Sequence, residues 1–280
     1  MKKDKIIITK MSGEKDEFDE SKLMGSLERS GADDETIFYI IKNIKSLLFD
    51  GISTKEIYKK AFELLRKSSR PTAAKYKLKK AILELGPTGY PFEKFIGEVL
   101  KYEGFDVEVG IIVDGHCVTH EIDVIAEKDN KHYIVECKFH SDQARKCDVK
   151  VPLYIKSRFD DVEKEKRKNP KNNGKIHKGW IYTNTRFTSD AIQYGNCSGL
   201  GLVSWDSPHG SSLRERIDIA GLHPITCLTT LNSREKQMII EKDIVLCMHL
   251  NENPDLLNIV GIKRSKHKSI LKESMELCRK

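Results

Sequence analysis

The feature that most constrains this chain is three strand-like runs in succession, at 105–113, 118–126 and 132–139. Asp114-Gly115 and Asp129-Asn130 lie between them, and such dipeptides favour the backbone of tight hairpin turns. The pattern predicts an antiparallel meander. Ahead of it, Phe92, Phe95, Ile96, Val99 and Leu100 recur at helical spacing, and Gly104 closes that helix. Behind it, a helix over 148–168 carries Val151, Ile155, Phe159 and Val162. A strand at 179–183, a helix at 189–194 and a strand at 200–205 complete a βαβ-like unit. The expected centre is therefore an α/β (α+β) domain, a mixed sheet flanked by helices.

The flanks read differently. Residues 5–10 form a short β-branched run, followed by a turn. Ser21 is placed to cap a helix carrying Leu23 and Leu27, and Asp33 to cap the next, with Ile37, Ile40, Ile41, Ile44, Leu47 and Leu48 in period. Ser53 and Glu56 have the spacing of a capping box. Arg70-Pro71 breaks that helix, and another is expected over 72–85. Gly86-Pro87-Thr88-Gly89 marks a boundary. Past residue 210 the chain turns helical again, at 233–243, 244–250 and 265–278. The expected domains are 1–86, mostly helical; 87–210, the sheet domain; and 211–280, a small helical region.

Of 280 residues, 49 are Lys or Arg and 42 Asp or Glu, a formal charge of +7. The excess is concentrated. Residues 145–178 hold 12 basic and 5 acidic side chains, and residues 263–280 hold 7 and 2. Clustered positive charge is the footprint of a polyanion binder, although a solvated helix face gives the same pattern. No apolar run approaches a membrane span. The seven cysteines form no CxxC, so neither a disulfide framework nor a zinc ribbon is expected, and a cytoplasmic location is. His116, Cys117 and His120 fit no closed zinc pattern, and there is no Walker motif.

Chemistry enters through Asp123 on the second strand and Glu136 and Lys138 on the third. Residues two apart on a strand face the same side, so Glu136 and Lys138 project together while Val135 and Cys137 point away. Close carboxylates repel unless a cation neutralises them, and hard oxygen donors suit Mg2+. The alternative from spacing alone is a cross-strand salt bridge without metal. His140 extends the same face, and Glu121 competes with Asp123.

Asp123 followed by Glu136-Cys137-Lys138 resembles the PD-(D/E)xK nuclease signature, and the stretch from about 86 to 207 resembles the Mrr-type restriction endonuclease domain. Gly89-Tyr90-Pro91-Phe92-Glu93 is similar to that family's opening helix, and Phe187-Thr188-Ser189-Asp190-Ala191 with Gly201-Leu202-Val203 to its closing helix and strand. The resemblance implies Asp123 and Glu136 as ligands of Mg2+ or Mn2+, with the Cys137 carbonyl as a third. It implies Lys138 as the catalytic lysine and Glu93 as a further acidic residue beside the metal. Gly97 would let the first helix approach the sheet.

Ile8-Thr9-Lys10-Met11-Ser12-Gly13, Phe18 to Leu23, Gly51 to Ile57 and Ala74-Lys75-Tyr76 together resemble the ATP-cone, a regulatory nucleotide-binding module. This implies ATP or dATP as ligand, with Lys10 and Lys22 on its phosphates and Ile8 and Thr54 near the nucleotide; Met11 stands where that family usually has Arg. The segment centred on Val260-Gly261-Ile262 is similar to a helix-hairpin-helix DNA-binding unit. The combined expectation is a Mg2+-dependent endodeoxyribonuclease acting on double-stranded DNA, regulated by an adenine nucleotide and homo-oligomeric. Its rivals are a nucleotide-responsive DNA-binding regulator with an inactive nuclease fold, and a junction- or RNA-directed nuclease.

Overall fold

A computed structural model describes residues 6–10, 13–168 and 176–278; the expectations that touch Lys5, Met11 and Ser12 lie outside them. In chain order the elements are β1 (Ile7–Thr9), β2 (Lys15–Glu17), α1 (Glu20–Arg29), α2 (Asp34–Lys45), α3 (Thr54–Ser68), α4 (Arg70–Tyr76), α5 (Leu78–Leu83) and α6 (Tyr90–Tyr102). Then come β3 (Asp106–Asp114), β4 (Thr119–Lys128), β5 (Lys131–Lys138), β6 (Lys146–Cys147), α7 (Lys150–Lys166), β7 (Ile176–Thr183), β8 (Arg186–Phe187), α8 (Ser189–Cys197) and β9 (Gly201–Val203). The rest is helical: α9 (Leu213–Ala220), a 3-10 turn at Ile225–Cys227, α10 (Ser233–Ile240), α11 (Cys247–Glu252), α12 (Leu256–Ile259) and α13 (Arg264–Cys278). Among the described residues no helix is long and apolar enough to cross a membrane.

The chain divides into two compact units. The first comprises the chain up to Ala81 together with Ile225–Met238 and Cys247 onward; the second comprises Ile82–Pro224 and Ile239–Leu246.

The second unit is built on a five-stranded mixed sheet, ordered β3-β4-β5-β7-β9. The three predicted strands form the antiparallel meander, β3 on β4 and β4 on β5. Asp129 and Asn130 both take positive φ, 50° and 59°, in the tight turn that sets the β4–β5 register. Helix α7 then carries the chain to β7, parallel to β5, and α8 carries it to β9, parallel to β7. Phe92, Phe95, Ile96, Val99 and Leu100 on α6 are all fully buried, each stabilising the fold by about 1.5–3 kcal/mol. Gly97 permits that burial, since a Cβ there would lie 2.8 Å from Val109 Cγ2 on β3.

In the first unit, Leu27, Ile40, Ile44, Ala61, Leu65 and Ala73 form the centre of a helical core. Asp19, not Ser21, caps α1: its extended backbone lets its carboxylate accept the Ser21 amide. The Ser53–Glu56 capping box is formed in both directions. Instead of one helix over 72–85 there are two, and Pro71 sits in the first turn of α4, where its missing N–H costs nothing. Leu47 lies past the end of α2 and is exposed. Glu273, on α13 and buried, accepts hydrogen bonds from Thr229 N (2.8 Å), Thr229 Oγ1 (2.6 Å) and Thr230 N (2.9 Å). Those three bonds tie the last helix to the segment after the 3-10 turn.

Candidate active site

The β4–β5 ladder runs from Lys128↔Lys131 to Val124↔Val135. Continuing that register would bring Asp123 opposite Glu136. There the Asp123 carboxylate takes the neighbouring amide instead: Oδ2 accepts from Cys137 N at 2.6 Å. A side chain thus replaces a ladder carbonyl at the point where the strands part. Val135 and Cys137 are buried, and Glu136 and Lys138 occupy the alternate positions, as the two-residue period requires. Lys138, at the end of β5, is exposed and has no ion pair among the described residues.

Four carboxylates influence one another here. Glu93, in the first turn of α6, is pushed up to about 7, first by burial and then by the negative charges of Asp123, Glu136 and Glu121. Glu136 is also pushed up to about 7, by burial and then by Asp123, with Arg158 and Lys138 opposing. Burial raises Asp123 as well, against the Cys137 amide and Arg158, which favour its charged form. The structure therefore brings Glu93, Asp123, Glu136 and Lys138 into one electrostatic neighbourhood. Glu121 belongs to it too, as a perturbing charge.

Arg158 is the member that the sequence reading does not include. It lies on α7, next to Phe159, which packs with Ile122 and Ile134 of the sheet. Its Nη1 donates to Glu136 Oε2 at 2.7 Å and to the Glu121 carbonyl at 3.2 Å. Its Nη2 donates to the Tyr154 hydroxyl at 3.0 Å, and the guanidinium lies 5.0 Å from the Tyr154 ring centroid. Asp161, three residues further along the helix, fixes α7 to the β3–β4 turn: it accepts from Cys117 N at 2.9 Å and pairs with His120 Nε2 at 2.8 Å. Gly115 is required there, because a Cβ would lie 2.2 Å from Asp161 Oδ2 and 2.5 Å from the Val118 carbonyl oxygen. A signal was present in the sequence. Tyr154 and Arg158 are four apart on a helix whose neighbouring Phe159 is a core residue.

The donor set fits a hard divalent cation. Burial and mutual repulsion raise these carboxylates, and their negative charge exceeds what Lys138 and Arg158 supply. Among the described residues no three His, Cys, Asp or Glu side chains are already gathered as a metal cage. One oxygen of Asp123 and one of Glu136 are held by protein donors, Cys137 N and Arg158.

His140 extends the strand face but is buried, locked between Asn184 and Cys147. Its amide donates to Asn184 Oδ1 at 2.8 Å, its carbonyl accepts from Asn184 Nδ2 at 2.7 Å, and its Nε2 lies 3.2 Å from Cys147 Sγ.

In the first unit, Ile8, Lys10, Lys22 and Thr54 line one cavity of about 260 Å3, with Phe18, Tyr58 and Tyr76 among its other walls. Tyr58 and Tyr76 stack with centroids 5.1 Å apart. The lysines are engaged by acids: Lys10 with Asp16 at 2.9 Å and Glu14 at 3.3 Å, Lys22 with Asp19 at 3.7 Å and Asp16 at 3.9 Å.

Residues 86–207 match the restriction endonuclease family model, and residues 223–278 match the model described as AF1548-like, C-terminal. An uncharacterized protein of Archaeoglobus fulgidus is 30% identical over 183 residues, which cover 65% of this chain and 99% of that protein. The chain belongs to the AF1548-like family. The crystal structure of AF1548, a protein of unknown function, is 29% identical and superposes with a TM-score of 0.57, covering 68% of this chain and 98% of that one. This AF1548-like protein thus carries a restriction endonuclease domain, and Asp123, Glu136, Lys138 and Glu93 all fall within the matched residues.

Proposed function

We propose that this AF1548-like protein is a Mg2+-dependent endodeoxyribonuclease whose activity responds to ATP or dATP. The observation that carries the nuclease reading is the convergence of Asp123, Glu136 and Glu93 beside the unpaired Lys138, inside the restriction endonuclease domain. Asp123 and Glu136 would hold Mg2+ or Mn2+, with the Cys137 carbonyl and Glu93 beside them. Bound there, the cation supplies Lewis-acid polarisation of the scissile phosphodiester. Lys138 directs its ammonium at the charge that builds on the phosphate oxygens. Arg158 holds Glu136 in one orientation, and the Cys137 amide does the same for Asp123. With one such site per chain, cutting both strands of duplex DNA calls for two copies.

The nucleotide reading rests on the cavity shared by Ile8, Lys10, Lys22 and Thr54, and on the resemblance of that segment to an ATP-cone. The stacked Tyr58 and Tyr76 offer an aromatic wall to a base. Lys10 and Lys22 would exchange their carboxylate partners for phosphates.

Plasmid cleavage with Mg2+, with and without ATP or dATP, tests both readings on wild type, Asp123→Ala, Lys138→Ala and Lys10→Gln. Loss of cutting in the first two variants, and loss of the nucleotide effect in the third, are the expected results. A wild type that binds DNA and never cuts would favour the DNA-binding regulator. Preferential cutting of a four-way junction or an RNA hairpin would reassign the substrate.

A further inference from the structure

The first unit contains a second cavity, of about 430 Å3, lined by Arg66, Arg70, Thr229, Thr230 and Ser269. Its walls come from the end of α3, the start of α4, the segment after the 3-10 turn, and α13. No carboxylate lines it. Arg158, Arg167, Arg186 and Arg216 each sit on an acidic side chain. The Arg66 and Arg70 side chains have neither an ion pair nor a hydrogen bond among the described residues. Thr230 Oγ1 is fully buried and also lacks a hydrogen-bond partner. A buried hydroxyl left unsatisfied is destabilising unless something completes it.

The cavity is preorganised. The Glu273 carboxylate holds the amides of Thr229 and Thr230 and the Thr229 hydroxyl, so the segment presenting Thr230 is fixed, and both carboxylate oxygens are engaged. Two unpaired guanidinium forks match a tetrahedral oxyanion with several acceptor oxygens, and Thr230, in the same wall, has a buried hydroxyl with no hydrogen-bond partner. The arginines are exposed, so the group they take can belong to a large ligand. The same helices also carry exposed Lys67, Arg264 and Lys268. A small anion would engage only the cavity, whereas a polyanion also gains from basic side chains elsewhere on these helices.

We propose that this cavity seats a backbone phosphate of duplex DNA, in a contact that shares no residue with the Asp123–Glu136–Lys138 site. The choice of DNA over a free phosphate compound rests on the nuclease reading above. Fluorescence anisotropy with a labelled duplex and the full chain, in EDTA so that nothing is cut, tests it. The Arg66→Gln/Arg70→Gln double variant should bind about 10-fold more weakly, and the slope of log affinity against log salt should shrink by about 1, since one phosphate loses its neutralising pair. Thr230→Val, which keeps the shape and removes the hydroxyl, should weaken binding about 3-fold or more with the salt slope unchanged, as loss of a neutral hydrogen bond does.

Inorganic phosphate and ATP serve as the competing small ligands. If the double variant loses ATP or phosphate binding while its DNA affinity and salt slope stay at wild-type values, the cavity serves a free phosphate compound and the DNA assignment falls. Unchanged DNA binding in a folded double variant overturns it too, as does a wild type that does not bind duplex at all. Should the double variant fail to fold, Arg66→Lys/Arg70→Lys replaces it: retained salt slope with weakened affinity is the supporting result, and wild-type affinity is the opposing one. Lys138→Ala separates the two readings. A chain that binds through the cavity and never cuts fails as a nuclease only, and a chain that cuts normally without the cavity arginines refutes only the cavity.

Discussion

Arg158 Nη1 lies 2.7 Å from Glu136 Oε2, with the two side chains 16% and 17% exposed. A guanidinium on α7 is therefore the internal counter-ion of a carboxylate expected to hold a metal. Removing one partner of a buried pair leaves the other uncompensated, and partial exposure reduces the cost. Arg158→Met should destabilise the metal-free protein at pH 8 by about 1–3 kcal/mol. Saturating Mn2+ should recover part of that loss, because a second cation then neutralises Glu136. Thermal melts of both proteins with and without Mn2+ measure this, and an Arg158→Met loss that Mn2+ does not reduce would remove Glu136 from the ligand set.

The pH dependence of the metal-free protein follows from Glu93 and Glu136, both raised to about 7. A carboxyl whose folded-state pKa is raised stabilises the fold fully below its unfolded value, near 4.5, and loses that contribution as pH rises through the folded value. The contribution of these two groups to stability should thus fall between about pH 4.5 and 7. Denaturant unfolding of wild type and Glu93→Gln across that range checks the sign. The variant should lose less stability on alkalinisation, and a variant as pH-sensitive as wild type would contradict the assignment.

Gly97 sets how closely α6, and with it Glu93, approaches the sheet. Gly97→Val would force its Cβ against Val109 Cγ2, 2.8 Å away. Overpacking of this kind costs about 1–3 kcal/mol, and cleavage should fall further than stability alone explains, because Glu93 is displaced. Stability by denaturant titration and cleavage rate at a temperature where the variant remains folded separate the two effects.

Asp161 lies well below the usual carboxylate range, chiefly through its bond to His120 and those to Cys117. Such a depressed acid stabilises the fold above its unfolded pKa and loses that stabilisation as pH falls through the folded value. Asp161→Ala should lower the melting temperature at pH 7 and flatten its decline toward acid. Because α7 also delivers Arg158, cleavage should drop by up to about 100-fold, as positional errors near 1 Å can cause. Undiminished cleavage would show that Arg158 is positioned without this anchor.

Much of the second unit was legible because its strands are long and its turns are chemically marked. The three-strand meander follows from alternation plus Asp114-Gly115 and Asp129-Asn130, and α6 and α7 follow from their apolar spacing. The short strands β2, β6 and β8 were not legible, since Lys15–Glu17 is wholly charged and two residues carry no period. Helix α9 was missed although Ser212 and Glu215 form a capping box, and the predicted helix over 244–250 starts only at Cys247. The carboxylates stood out as charges inside apolar strands. Arg158 did not, because it sits in a basic run that also reads as a solvated helix face. Arg66, Arg70 and Thr230 come from separated segments that only tertiary packing brings to one cavity.

The Glu273 clamp has a consequence for how the chain is made. Its acceptor lies on the last helix, and the first unit otherwise begins with the earliest helices, roughly 190 residues upstream. At 5–20 residues per second, a ribosome needs about 10–40 s to span that interval. Through that time the early helices lack α13, and by its end most of the sheet domain has been made. A nascent chain would therefore possess Asp123, Glu136 and Lys138 before the cavity lined by Arg66 and Ser269 could close. Premature termination would leave a chain with the Asp123–Glu136–Lys138 cluster but without that cavity.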